Sequence, residues 1–207
     1  MERDPSLRSH WERVYAQKGE QEVSWFQEVP ATSLRLVSAT GVGRDARIVD
    51  VGGGASRLVD ALLAAGYERL TVLDLAAPAL ERARQRLGPR ASSVAWIAAD
   101  VTAWEPEGTF EVWHDRAVFH FLVRPEDRAA YRATLLRALS TGGHAVVATF
   151  APDGPERCSG LPVARYDPES LARELGPELR LVESLREDHR TPGGAVQRFQ
   201  FSRFVRT

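Results

Sequence analysis

Short apolar runs alternate with stretches of helical spacing over most of the chain. Five runs are followed by glycine or polar residues, which is typical of buried strands. They cover residues 47–51, 69–75, 94–101, the start of 110–119, and 144–151. Apolar residues three or four positions apart predict helices over 56–66, 77–88 and 125–143. Alternating strands and helices predict an α/β fold whose parallel sheet carries helices on both faces.

The C-terminal third departs from this alternation. A helix is predicted over 167–176, where Asp-Pro begins the pattern. Two strand patterns, 180–187 and 196–205, then follow with only the turn signal "TPGG" at 191–194 between them. This predicts an antiparallel hairpin. The complete prediction is a Rossmann-like, seven-stranded, mostly parallel sheet that ends in a C-terminal antiparallel hairpin.

The residues before the first predicted strand form a different kind of segment. They predict two helices, around 6–18 and 30–39, separated by "EQEVSWFQE". We expect residues 1–46 to lie over the strand ends as a helical lid within a single domain of 1–207. A chain of 207 residues can bury one substantial core.

Charge and composition narrow the classes of partner. The 27 basic and 28 acidic residues nearly balance, which gives no electrostatic footprint for nucleic acid or an anionic membrane. The N-terminal sequence is charged and lacks the apolar centre of a signal peptide, so we expect a cytoplasmic protein. Cys158 is the single cysteine of the chain, and no Cys/His cluster has the spacing of a metal site.

Three consecutive glycines, Gly52, Gly53 and Gly54, stand directly behind the first strand. In an open α/β sheet, ligands bind beyond the carboxyl ends of the strands, where bare backbone permits a close approach. A dinucleotide loop prefers glycine or alanine at the position that Arg57 occupies, so the match to that motif is poor. A tight turn without a ligand is the alternative for the glycines.

Two acidic residues strengthen the case for a nucleoside. Asp74 ends the second strand, about 20 residues beyond the glycines, where a carboxylate can accept both hydroxyls of a ribose. Asp100 ends the third strand, where it can accept from an exocyclic amino group such as that of adenine. Taken alone, each aspartate favours a helix cap or a solvated loop residue, and it is the pair at successive strand ends behind the glycines that favours a nucleoside.

The run "VDVGGGAS…TVLDL…AADV…VWHDRAVFHF…GGHAVVATF" resembles the class I S-adenosylmethionine-dependent methyltransferases. Its fourth-strand exit is similar to the thiopurine and thiol methyltransferase group, and also to a branch of the protein-lysine methyltransferases. "GGGAS" stands where many members have Gly-Cys-Gly. The resemblance implies S-adenosyl-L-methionine as cofactor, with the glycines under its methionine part. It further implies that Asp74 holds the ribose, that Leu75, Asp100 and Val101 contact the adenine, and that Asp115 faces the amino group.

The fourth-strand exit also carries the candidates for substrate binding and catalysis. His120 has a reference pKa that suits a general base, and packing at the strand end is its alternative role. Arg116 follows Asp115 and can clamp a substrate carboxylate, or else pair with a neighbouring acid. We count Asp115, Arg116 and His120 as candidate catalytic residues. His114, inside the strand, favours a structural role.

Aromatic residues complete the predicted site. Trp25 and Phe26 lie together in a polar segment and can cap the pocket, with Trp25 beside the cofactor and Phe26 beside the substrate. A small satellite core is the alternative. Tyr166, in the loop after the fifth strand, is a further candidate for the substrate wall.

These observations favour methyl transfer to a small-molecule nucleophile, with a thiol or another soft acceptor among the candidates. A protein-lysine methyltransferase is the main alternative, in which Glu22 and Glu28 would line a channel for the lysine. An NAD-dependent oxidoreductase is disfavoured by Arg57 and by the terminal hairpin. A non-catalytic cofactor-binding module is a third alternative. The oligomeric state is left open.

Overall fold

The computed structural model describes residues 5–207, so the first four residues of the predicted lid lie outside the described residues. Seven strands form one sheet: β1 Arg47–Val51, β2 Arg69–Asp74, β3 Val94–Ala98, β4 Phe110–Arg116, β5 Leu139–Phe150, β8 Leu179–Arg190 and β9 Val196–Arg206. Their order across the sheet is β3-β2-β1-β4-β5-β9-β8. The strands β1 to β5 pair in parallel, whereas β9 is antiparallel to both β5 and β8. The predicted fold class is therefore confirmed.

Six α-helices and a small hairpin complete the described chain. The helices are α1 Pro5–Gln17, α2 Ala31–Ser38, α3 Leu58–Ala64, α4 Ala77–Leu87, α5 Pro125–Ala138 and α6 Pro168–Leu175. The hairpin pairs β6 Arg157–Cys158 with β7 Leu161–Pro162. None of the described helices is long and apolar enough to cross a membrane. At the start of α6, the Asp167 carboxylate accepts from the Ser170 N–H at 2.7 Å, which is the cap that the Asp-Pro signal indicates.

The boundary between α5 and β5 differs from the prediction. Helical spacing predicts a helix to 143, but α5 ends at Ala138 and the chain enters β5 at Leu139. Leu139 is fully buried and pairs with Phe110 of β4, so tertiary burial outweighs local helix propensity there. The two C-terminal strands are also longer than predicted, because β9 has a hydrogen-bonded partner on both sides.

The core lies on both faces of the sheet because alternate residues of each strand point in opposite directions. On one face Trp113 packs with Tyr131 and Leu135 of α5. On the other face Ile48 packs with Leu58 of α3 and Leu80 of α4. Helices therefore cover both faces, and the carboxyl edge of the strands is left for the segment around α1.

The N-terminal region has two different structural roles. Helix α2 belongs to the helical layer, since its Leu36 and Val37 are fully buried. By contrast, α1 and the chain up to Val29 lie across the strand ends. There Trp11 of α1 contacts Trp25 edge to face, with 5.6 Å between ring centroids, and Phe121 at 5.1 Å. An aromatic cluster thus holds this segment against the body of the domain.

Candidate functional site

A cavity opens at the carboxyl ends of the parallel strands. It encloses about 870 Å³ of space between protein atoms, part of it continuous with solvent. Its lining is mostly apolar and includes Trp11, Tyr15, Trp25, Val118, Phe121 and Phe199. Gly52, Asp74, Leu75, Asp100, Val101 and Arg116 also line it. We call this space the main cavity, and it brings together most of the residues predicted to bind the cofactor.

The backbone conformation and the packing of the turn require glycine at residues 52–54, whether or not a ligand binds there. Gly52 and Gly54 have φ angles of 67° and 42°, in the region that side chains rarely adopt. A Cβ atom at Gly52 would collide with Val118, and one at Gly54 would lie 2.8 Å from Asp74 Oδ2. At Gly53 it would lie 2.6 Å from Asp50 Oδ2. The turn leaves bare backbone at Gly52 on the cavity wall, so both interpretations of the glycines fit the structure.

Asp74 is a buried carboxylate at the cavity wall. Its Oδ1 accepts from the Ala76 N–H at 2.8 Å. Burial raises the pKa of Asp74 to about 7; the backbone N–H of Ala76 opposes this shift, and the charge of Asp50 adds to it. A ligand that supplies further hydroxyl donors would stabilise the charged form of this buried carboxylate.

Asp100 lies in the same wall but is already engaged locally. Its Oδ1 accepts from the backbone N–H and the hydroxyl of Thr102, both at 2.8 Å. Val101 beside it is buried. Asp100 therefore combines the turn-capping role with a position at the cavity, and its Oδ2 is the atom left for a ligand.

The segment above the cavity is fixed to the body by polar contacts on several elements. Glu20 forms ion pairs with Arg57 at 2.8 Å and with Arg86 at 3.1 Å. On the far side, His189 of β8 contacts the carbonyl oxygen of Ser24 at 2.8 Å. These contacts hold Trp25 in the wall, where it also packs against Tyr15.

Asp115 and Arg116 are consecutive but face in opposite directions. The fully buried Asp115 side chain accepts from the Val118 N–H at 2.8 Å and from the Tyr131 hydroxyl at 2.6 Å. Burial raises its pKa to about 6, and the Tyr131 hydrogen bond opposes that shift. Asp115 thus fixes the turn after β4 from behind the cavity wall, a placement that argues against its predicted contact with the cofactor.

Arg116 faces the cavity. Its Nη1 donates to the carbonyl oxygen of Trp25 at 3.1 Å, and its guanidinium stacks over Phe199 with 4.4 Å to the ring centroid. Its Nε and Nη2 have no hydrogen-bond partner among the described residues. Glu187 lies 3.9 Å from Nη2, so the two side chains form a long ion pair without a hydrogen bond. Burial lowers the pKa of Arg116 to about 10, so the side chain stays charged at neutral pH.

Two other predicted site residues lie outside the main cavity. His120 is fully buried between Phe121 and Phe150, and burial together with the charge of Arg116 lowers its pKa to about 3. Tyr166 packs against Phe119 in the core. These placements favour the structural alternative for His120 and argue against a substrate contact for Tyr166.

A second, smaller cavity lies on the other side of the glycine turn. Phe26 lines it together with Gly53, Arg57 and Arg116. The guanidinium of Arg57 lies over the Phe26 ring, 5.3 Å from the centroid. Phe26 is therefore separated from the main cavity, whereas Arg116 faces both spaces.

A buried polar chain supports the floor of the second cavity. His114 Nδ1 lies 2.7 Å from Asp50 Oδ1, and its Nε2 lies 2.9 Å from the Ser33 hydroxyl of α2. Asp50 Oδ2 has no partner within the described part of the chain. The sequence signal for these hydrogen-bonded residues was a polar residue inside each of two apolar strands. The β1–β4 register places Asp50 opposite His114. Ser33 carried no such signal.

Sequence reasoning also missed several apolar members of the main cavity. Val118, Phe121, Cys158 and Phe199 line it, as do Trp11 and Tyr15, which the sequence assigned to anchoring α1. Burial and the nearby Asp74 charge raise the pKa of Tyr15 well above its usual value. An apolar side chain in a cavity wall has the same sequence pattern as one in the core, so spacing alone does not separate them.

Comparison with known proteins bears directly on this site. Residues 48–143 match the sequence model of the methyltransferase domain family. Over 152 residues the chain is 28% identical to the eEF1A lysine and N-terminal methyltransferase of Danio rerio, covering 72% of this chain and 22% of that protein. Over 128 residues it is 33% identical to nodulation protein S of Sinorhizobium fredii, covering 62% and 52%. The chain therefore spans between about a fifth and a half of these curated relatives.

A solved structure extends the likeness to the whole fold. The N-methyltransferase NodS from Bradyrhizobium japonicum, in complex with S-adenosyl-L-homocysteine, superposes with a TM-score of 0.72 at 21% identity. The superposition covers 98% of this chain and 99% of that one. At this identity the likeness concerns the fold.

The residues present fit S-adenosylmethionine, the cofactor of this family. The buried Asp74 carboxylate lines the cavity, where it is an acceptor suited to ribose hydroxyls, and Gly52 presents bare backbone in the same wall. Asp50 Oδ2, behind the glycine turn, is an orphaned buried acceptor suited to a cationic group. The family match over residues 48–143, the strand order and this cavity agree with a methyltransferase domain of the S-adenosylmethionine-dependent type.

Proposed function

We propose that this protein transfers the methyl group of S-adenosylmethionine to a small-molecule nucleophile. One observation carries the proposal: a single largely apolar cavity runs from Asp74, suited to the cofactor's ribose, to Arg116 at the acceptor end. When bound, the cofactor supplies a methyl group that its sulfonium already activates. The protein's task is then to orient the nucleophile and to exclude water.

The chain's own residues divide this task. Asp74 accepts the ribose hydroxyls, Asp100 and Val101 border the adenine, and the backbone at Gly52 passes close to the methionine part. The faces of Trp11 and Trp25 stabilise positive charge in the cavity and keep water out. Positioning of this kind contributes up to about 7–11 kcal/mol of the barrier reduction.

At the Arg116 end of the main cavity no carboxylate or histidine lines the described part of the wall, and this bears on the acceptor. His120 is buried and neutral, and the Asp115 oxygens are occupied by hydrogen bonds. The nucleophile must therefore reach the cavity already deprotonated or lose its proton to solvent. A thiol with a pKa near neutrality, or an amine in its neutral form, meets this requirement.

The segment from α1 to Val29 acts as the lid in this proposal. It supplies Trp11, Tyr15 and Trp25 to the wall, and the Glu20 ion pairs hold it shut. We expect Glu20→Gln to raise KM with a smaller effect on kcat, because opening the wall weakens binding first. If the KM for S-adenosylmethionine and the KM for the acceptor are both unchanged, the segment is a fixed part of the cavity wall and does not open as a lid.

A protein acceptor is the second candidate, because the Danio rerio relative is a lysine and N-terminal methyltransferase. The predicted acidic channel does not support it. The Glu22 carboxylate accepts from the Gly19 N–H at 2.6 Å, and Glu28 pairs with Arg57. Both carboxylates thus hold the lid segment together instead of lining a lysine channel.

Calorimetry and labelling test the proposal together. We expect S-adenosylhomocysteine to bind the purified chain, and label from methyl-tritiated cofactor to enter the small-molecule fraction of a cell extract. Asp74→Asn should reduce both signals, whereas Asp188→Asn, whose side chain is 69% exposed, should leave them unchanged. Label confined to protein bands would favour the protein acceptor, and the lack of S-adenosylhomocysteine binding would refute the proposal.

A further inference from the structure

Arg116 has hydrogen-bond donors that the proposed cofactor contacts do not use. A buried guanidinium ordinarily has its donors paired, because an unpaired buried donor is costly. Here one bond to the Trp25 carbonyl is present, while Nε and Nη2 have no hydrogen-bond partner among residues 5–207. The side chain is 11% exposed, so solvent does not replace the missing partners. Nε and one Nη form the edge that binds a carboxylate through two parallel bonds.

The position of Arg116 in the sheet separates it from the adenosine end. At the carboxyl edge the order runs from β3 through β2 and β1 to β4, β5 and β9. Strands lie about 4.8 Å apart, so Arg116 on β4 is roughly 10 Å from Asp74 on β2. Phe199 on β9 and Cys158 after β5 lie beyond it on the same side.

Acidic and basic side chains lie at opposite ends of the main cavity. Asp74 and Asp100 stand at the adenosine end, and Arg116 is the one cation among the described lining residues. Phe199 supports the guanidinium from one side, and Trp25 and Phe121 line the same cavity.

We propose that the acceptor molecule carries a carboxylate, which binds the Nε and Nη2 edge of Arg116, where no hydrogen bond is made within the described residues, close to the aromatic lining residues Trp25, Phe121 and Phe199. This inference rests on the proposed function and narrows its substrate to small anionic nucleophiles. The carboxylate anchors the molecule at one end, so that a thiol or amine at the other end points toward β1. The cofactor's own carboxylate is the competing source of the same chemistry, because Arg116 also faces the second cavity beside the glycine turn.

Binding to the cofactor-loaded protein distinguishes the two sources. Calorimetry on protein saturated with S-adenosylhomocysteine would compare benzoate, phenylacetate and 3-mercaptopropionate with their amides. We expect at least one carboxylate to bind about ten- to hundredfold more tightly than its amide, the range for charge-assisted hydrogen bonds. Arg116→Gln should abolish that preference, and Arg116→Lys should keep only part of it. The dissociation constant of S-adenosylhomocysteine should change less than about threefold.

A matched control keeps the test specific. Arg69→Gln removes the same charge at an exposed position on the opposite end of β2 and should change neither ligand's affinity. Melting temperatures of all variants show that each is folded. The inference fails if no carboxylate binds better than its amide, or if Arg116→Gln weakens S-adenosylhomocysteine instead. If S-adenosylhomocysteine does not bind the native chain, the proposed function fails; if it binds but no carboxylate is preferred over its amide, only this inference fails.

Discussion

The buried carboxylate of Asp74 makes the stability of the cofactor-free protein dependent on pH. Burial raises its pKa from 3.8 to about 7, and the nearby Asp50 charge adds to the shift. Ionised Asp74 therefore destabilises the free fold by about 4 kcal/mol above pH 7. Below pH 3.8 both the folded and unfolded states hold the proton, and the penalty disappears. Between these values only the folded state holds it, so the free energy of unfolding falls as the pH rises.

The substitution Asp74→Asn isolates this effect, because asparagine keeps an oxygen for the Ala76 N–H and cannot ionise. Between about pH 5.5 and about pH 8 the native penalty grows by about 2 kcal/mol. For a chain of this length that corresponds to about 4–8 °C in melting temperature. We therefore expect the melting temperature of Asp74→Asn, relative to the native protein, to rise by that amount over this pH range. Asp188→Asn serves as the exposed control.

Cofactor binding should show the opposite dependence on pH. Ribose hydroxyls donate to the ionised carboxylate, so binding lowers the pKa of Asp74 and releases a proton. We expect the affinity of the native protein for S-adenosylhomocysteine to rise with pH up to about 7 and then level off. In Asp74→Asn the affinity should be low and nearly independent of pH. A melting difference that stays constant with pH, or an unaltered affinity in the variant, would refute the reasoning.

Three further substitutions test other parts of the site. Gly52→Ala should destabilise the fold in chemical denaturation by about 1–2 kcal/mol from its φ angle alone, and Val118→Ala should restore only the additional loss caused by the collision. Tyr131→Phe removes a donor to buried Asp115 and should cost about 1–3 kcal/mol, with a larger loss at pH 8 than at pH 5 because the ionised carboxylate needs that donor. His120→Asn should leave the acidic limb of the pH profile of kcat/KM in place, whereas a displaced limb would show that His120 is the general base after all.

The sequence indicated the main features of the fold because they depend on local patterns. Apolar periodicity located the strands of the parallel sheet, and "TPGG" located the hairpin between β8 and β9. The end of α5 was predicted five residues too late, at 143 instead of Ala138. Leu139 has the spacing of a helix but enters the sheet, and the burial that decides this comes from β4, nearly 30 residues away.

Some residues of the candidate site could be located from the sequence, and others could not. Residues at the ends of β1 to β3 could be named from the sequence, since parallel strands bring their carboxyl ends to one edge whatever the side chains are. Gly52, Asp74 and Asp100 accordingly lie at the main cavity. At the end of β4, the sequence did not show which residues face the cavity and which are buried behind its wall. Asp115, Arg116 and His120 follow one another closely, yet only Arg116 faces the cavity.

The sequence by itself determined the order of strands and helices, the glycine turn and the acidic strand ends, because each is set by spacing along the chain. Only the tertiary structure decided which side chains are free to act. The Tyr131 hydroxyl of α5 donates a hydrogen bond to Asp115, and the rings of Phe121 and Phe150 enclose His120. Arg116 contacts the Trp25 carbonyl of the lid and the Phe199 ring of β9. Hydrogen bonding and burial depend on contacts between distant segments, and chain spacing carries no information about them.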